Sequence, residues 1–172
     1  LKTQINTLNR TLRASPAFSN NERYQFHYEV VPEFRELHRF IQRAADIVRL
    51  LRWAKARDVR IALVGASEAW KVAPQLATAG VPVFVDVLAN LPADFDEIGA
   101  TLENAARLHA AGVRVSFTQS DDSSHNARKV RQLAGNAVAN GLPWDAALAG
   151  LTSVPAASLG VSGEIGTIAS GQ

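Results

Sequence analysis

From Val59 onward, short runs of β-branched residues alternate with longer stretches whose apolar positions recur every three or four residues. That rhythm predicts an α/β fold of βα units with parallel strands, because parallel neighbours need a crossover and a helix is the usual one. The predicted strands are 59–65, 81–87 and 113–118, with a weaker one at 37–42; Pro82 is tolerated at a strand start, where it need not donate to the ladder. A helix is predicted from Ser67-Glu68-Ala69-Trp70 to Gly80, with Ser67 as its cap and Glu68 as an acid at its positive end. Another is predicted over 94–111, where Phe95, Ile98, Leu102, Ala105, Ala106 and Leu108 share a face and Gly112 is a natural stop.

Upstream, 44–56 reads as a helix with Ile47, Leu50, Leu51 and Ala54 on one side. Downstream, a long helix is expected over 125–140, a short one from Pro143, which suits a first turn, and a last one over 152–159. Three regions result: an N-terminal helical or irregular segment over 1–36, a βα region over 37–159, and a Gly- and Ser-rich tail over 160–172.

With 172 residues and 47% apolar side chains, the chain is long enough to bury a core. It contains neither Met nor Cys. The first fact reads as a processed chain or a fragment; the second excludes disulfides, thiolate metal sites and a cysteine nucleophile. Residues 1–57 carry 11 Lys or Arg against 5 acids, and 58–172 carry 7 against 11. The basic part lies mostly along helix faces with no interleaved aromatic platform, so nucleic acid is not an expected partner. No apolar run nears the ~18 residues that span a bilayer, so a membrane is not expected either.

The run Gly112-Val113-Arg114-Val115-Ser116-Phe117, then Asn126-Ala127-Arg128 and Ala134-Gly135-Asn136-Ala137-Val138-Ala139-Asn140-Gly141-Leu142-Pro143, resembles the closing part of amidohydrolase barrels related to imidazolonepropionase. The stretch Ala146 to Val161 is similar to the family's helix and Thr before an Asn-Pro-Ala turn, with Val154 where Asn is usual. Gly163 to Gln172 resembles its Gly-(Ser/Thr)-Leu-x-x-Gly-Lys segment, and Glu68 to Ala73 with Asn90-Leu91-Pro92 fits one branch. The resemblance covers about 37–172. It implies the second half of a TIM-type (βα)8 barrel, in which the four predicted strands are strands five to eight.

The family hydrolyses carbon–nitrogen bonds with water activated by one or two divalent metals, zinc among them. Its ligands are a His-x-His pair on strand one, a His on each of strands five and six, and an Asp after strand eight. Here the expected His positions hold about Phe40 and, on strand six, Gly65 and Ala66, none of which binds zinc. The resemblance therefore implies a degenerate metal set and leaves the cofactor open.

Asp121 is the nearest match to the family's Asp, with His125 close behind as a candidate proton shuttle; both are the candidate catalytic residues. The plainer reading makes Asp121 and Asp122 helix caps and His125 an exposed helix-start residue. Glu68, Asn90 and Asp122, at strand carboxyl ends, are the candidate substrate-binding residues, and Glu68 equally suits a first-turn helix acid. Gly65-Ala66-Ser67 lacks the further glycines of a phosphate loop.

Three readings stay open: part of an amidohydrolase-like enzyme acting on a small molecule, a non-catalytic half-barrel completed by another chain or a second copy, and an open α/β sheet binding a small ligand at its strand ends.

Overall fold

The computed structural model describes residues 42–170 apart from 90, 93, 94 and 120–123, and of 96 and 124–126 the backbone only. In chain order the elements are α1 (Ala44–Arg57), β1 (Leu63–Val64), α2 (Ala73–Ala79), β2 (Val83–Val85), α3 (Asn104–Ala110), β3 (Val115–Phe117), α4 (Val130–Ala139), α5 (Trp144–Leu151) and α6 (Ser153–Ser158). Single 3-10 turns over Ala69–Val72, Phe95–Glu97 and Ser124–Lys129 join some of them.

The three strands form one parallel sheet in the order β1-β2-β3. Each crossover carries a helix, as the alternating pattern requires. The register pairs Leu63 with Val83 and Val83 with Val115, and it pairs Val64 with Phe84 and Phe84 with Ser116. Side chains alternate along a strand, so Leu63, Val83, Val85, Val115 and Phe117 share one face and Val64, Phe84 and Ser116 the other. The first face is wholly buried in a core completed by Ile47 and Leu50 of α1, Leu76 of α2, Leu108 of α3 and Leu133 of α4. On the second face Val64 and Phe84 are only half-buried.

Helix α1 follows the prediction, with Ile47, Leu50 and Ala54 buried at helical spacing and Asp58 as a left-handed carboxyl cap. Gly80 closes α2 at φ 65°, a conformation that glycine adopts without a Cβ clash. The last helices fall where the sequence placed them, and 160–170 runs in turns. Helix α5 packs against β3. A Cβ on Gly150 would meet the Phe117 ring at 2.8 Å and the Val115 carbonyl oxygen at 2.9 Å, and the Gly150 carbonyl accepts the Ser116 hydroxyl at 2.7 Å.

Three expectations are corrected. The strands are shorter than the β-branched runs, although single ladder hydrogen bonds continue past them at Gly65, Pro82, Arg114 and Thr118. The helix expected over 94–111 begins only at Asn104, with Phe95 84% and Ile98 65% exposed. The cause is long-range: Arg43 donates to the Phe95 carbonyl at 3.0 Å and the Trp70 indole to the Gly99 carbonyl at 2.8 Å, so these oxygens serve side chains instead of a helix ladder. Finally, Ser67 caps no helix; its hydroxyl donates to Gln42 Oε1 at 2.8 Å. The strand expected at 37–42 and the segment 1–36 lie outside the described residues, except Gln42, which is not in a strand.

Candidate functional site

In a parallel βα sheet the strand carboxyl ends and the loops after them are where ligands gather. After β1 the chain turns sharply through two left-handed residues, Gly65 (φ 82°) and Ala66 (φ 55°). A left-handed alanine costs energy that the surroundings must offset. Two contacts hold the turn: the Asn104 side-chain amide donates to the Ala66 carbonyl at 3.3 Å, and the Ser67 backbone N–H donates to Gln42 Oε1 at 2.9 Å. Ala66 and Asn104 are fully buried.

Two residues beyond Phe84 and Ser116, on the same half-buried face, stand Asp86 and Thr118. The ladder still holds there, since the Thr118 amide donates to the Val85 carbonyl at 3.0 Å. Asp86 is buried, and its Oδ1 accepts the Leu88 amide at 3.0 Å and the Ala89 amide at 3.4 Å, which fixes the carboxylate in an Asx turn. Beside Thr118, the Gln119 Oε1 is buried without a donor among the described residues. The strand ends thus place a fixed carboxylate and a hydroxyl on the half-buried face, whereas alternation puts Gln119 on the core side.

Glu68 sits at the rim. Its Oε2 accepts the Ala44 amide at 3.0 Å and its Oε1 accepts Lys71 Nζ at 2.7 Å. Burial works against its charge. The Lys71 hydrogen bond, the Ala44 amide, the Lys71 charge and the Gly99 amide outweigh that and hold its pKa below the usual glutamate value. The neighbouring Trp70 ring lies under the Arg107 guanidinium, 4.4 Å from the centroid, and Lys71 Nζ is 5.6 Å away. Arg107 also pairs with Glu103 at 2.6 Å.

Of the candidates read from sequence, the described residues therefore place Glu68, with its carboxylate engaged in the fold. The backbone of His125 lies in the 3-10 turn before α4. Asn90, Asp121 and Asp122 lie outside the described residues. Sequence reasoning passed over Asp86, Thr118, Gln119 and Asn104. The available signal was a carboxylate directly behind the run Val83-Phe84-Val85.

A divalent metal does not fit what is described. No group of three or more His, Asp or Glu side chains converges among the described residues. Asp86 spends one oxygen on backbone amides, and Glu68 is tied to Lys71. His109 is exposed in the last turn of α3. Among the described residues no helix is long and apolar enough to cross a membrane.

No family model matches the chain, and no curated protein is similar to it. Among solved structures it is similar to an amidohydrolase from Thermotoga maritima MSB8, at a TM-score of 0.69 and 22% identity, over 99% of this chain and 45% of that one. The chain thus spans less than half the length of the protein it matches. At that identity the likeness speaks of fold alone: the parallel βα arrangement of this chain is similar to that of part of the Thermotoga protein.

Proposed function

We propose that the chain forms the second half of a (βα)8 barrel in an amidohydrolase-like protein, close to the imidazolonepropionase-related branch, with β1, β2 and β3 as barrel strands six to eight. In this reading their carboxyl ends are one wall of a pocket for a small molecule with a hydrolysable carbon–nitrogen bond. The wall contributes binding groups, Asp86 and Thr118, while the metal-ligand set is degenerate within this chain. Asp121 and His125, which come after β3 in sequence, are the candidate proton-handling groups of this reading, and Asn90 and Asp122 its candidate substrate contacts.

One observation carries the reading: Asp86 and Thr118 stand side by side on the half-buried sheet face at the strand ends, the face that a closed barrel turns inward. The likeness in fold supports it. Purified chain is tested for divalent metal by plasma mass spectrometry and for binding of small cyclic amides and ureides by thermal shift. The expected result is no stoichiometric metal and a rise in melting temperature that Asp86→Asn abolishes. Stoichiometric metal overturns the degenerate set; a panel in which nothing binds overturns the pocket.

A second reading, a non-catalytic half-barrel completed by another chain or a second copy, is favoured by the half-burial of the apolar pair Val64 and Phe84 on the sheet face away from the core. Sedimentation at equilibrium tests it, and a monomer over the micromolar range rules out the second copy.

A further inference from the structure

Below and above the polar pair at the strand ends, the wall is apolar. One layer down, the register sets Val64 beside Phe84 and Phe84 beside Ser116. Val64 and Phe84 are half-buried, and Ser116 spends its hydroxyl proton on the Gly150 carbonyl at 2.7 Å. Beyond the carboxylate, the Leu88 amide is bonded to Asp86 Oδ1 at 3.0 Å, so the Leu88 side chain leaves the backbone within one hydrogen bond of it. Val87 between them is buried in the core, whereas Leu88 is 58% exposed and Leu91, three residues on, is 59% exposed.

An exposed leucine alone carries no information, since much of any protein surface is apolar. Two points set these apart. They follow the carboxyl end of a strand in a parallel βα sheet, where the loops surround a ligand. Leu88 is also held by the same Asx turn that fixes the carboxylate, so its place beside Asp86 is set by the backbone. The order along the wall is thus an apolar layer, a hydrogen-bonding pair and an apolar rim.

We propose that Leu88 is a specificity-determining residue, a role that rests on the pocket reading above, and that it selects a substrate whose carbon–nitrogen group carries a bulky apolar substituent. The amide group lies against Asp86 and Thr118, and the substituent extends over Leu88 and Leu91 at the rim. A carboxylate in place of that substituent is rejected, because it loses its water to leucine and stands near the Asp86 charge.

The test measures calorimetric binding of hydantoin, its benzyl derivative and its carboxymethyl derivative to the purified full chain. Benzylhydantoin is expected to bind roughly tenfold more tightly than hydantoin, and the carboxymethyl compound more weakly than either. Leu88→Ser is expected to bring the benzylhydantoin and hydantoin affinities within about twofold of each other, with an unchanged urea midpoint. Asp86→Asn weakens both ligands alike. If none of the three compounds binds, the pocket reading falls and the selectivity with it. If hydantoin binds through Asp86 but the benzyl group adds nothing, if the carboxymethyl compound binds best, or if Leu88→Ser keeps the full benzyl preference, the pocket stands and the role of Leu88 is overturned. A lowered urea midpoint of Leu88→Ser overturns it as well, since another part of the chain then covers the leucine.

Discussion

The carboxylate of Glu68 caps a helix to which it does not belong, with Oε2 3.0 Å from the Ala44 amide at the start of α1. Arg43, which precedes that helix, supplies no side-chain cap of its own, so Glu68 satisfies an amide that would otherwise lack a partner. It also places a negative charge at the positive helix end. Replacing Glu68 with Ala is expected to cost about 1–2 kcal/mol in urea denaturation. Glu68→Gln, which keeps an acceptor and loses the charge, is expected to cost less. Equal stability of all three proteins would show that the cap contributes nothing.

The same carboxylate sets a pH dependence. Burial opposes its charge, but Lys71 and the Ala44 and Gly99 amides win, so the folded pKa lies below the unfolded value of about 4.3. Its contribution is therefore complete above that unfolded value and is lost as the pH falls through the folded one. Stability measured from pH 7 down to pH 3 should fall more steeply in the wild type than in Glu68→Gln, with the curves converging at the acid end. Parallel curves would mean that Glu68 titrates alike in both states.

Trp70 fastens the segment between β2 and α3 by one hydrogen bond to the Gly99 carbonyl. Trp70→Phe removes the donor together with the five-membered part of the indole and keeps an aromatic ring for Arg107 to cover. The expected loss is about 0.5–1.5 kcal/mol. It should appear locally, as faster hydrogen exchange at the amides of 98–101, while the β2 amides keep their protection. Unchanged exchange there would place the anchor elsewhere, with the Arg43 contact to Phe95 as the next candidate.

That segment also marks where sequence reading stops. Helices α1, α5 and α6 and the end of α4 were legible because their apolar spacing and their Gly and Pro boundaries are local signals, whereas α4 begins at Val130, not near 125, after a 3-10 stretch over Ser124–Lys129. The strands were legible as runs of Val, Ile and Phe, though not in extent, since a ladder ends where its neighbour ends. Residues 94–103 carry a good helical pattern, yet the Phe95 and Gly99 carbonyls are claimed by Arg43 and Trp70, far away in sequence. Asp86 was hidden for a related reason. A reading that runs the strand on to Val87 makes it an interior residue, whereas pairing that stops at Val85 makes it a strand-end carboxylate.

Two glycines in helices allow a test of the packing of α5 against β3 with opposite expected signs. At Gly135, within α4, a Cβ meets nothing within 4 Å, so Gly135→Ala should stabilise by about 0.5–1 kcal/mol through the lower chain entropy of alanine. Gly150 gains the same intrinsic preference, but its Cβ would stand 2.9 Å from the Val115 carbonyl oxygen, which is backbone and cannot swing aside, and 2.8 Å from the Phe117 ring. Relieving that overlap pushes α5 off the strand edge and strains the Ser116 hydrogen bond to the Gly150 carbonyl. Gly150→Ala is therefore expected to destabilise by about 1–3 kcal/mol. Urea midpoints of the two variants should move in opposite directions. If both rise, α5 stands further from β3 than these distances require, and the edge of β3 is open to another strand.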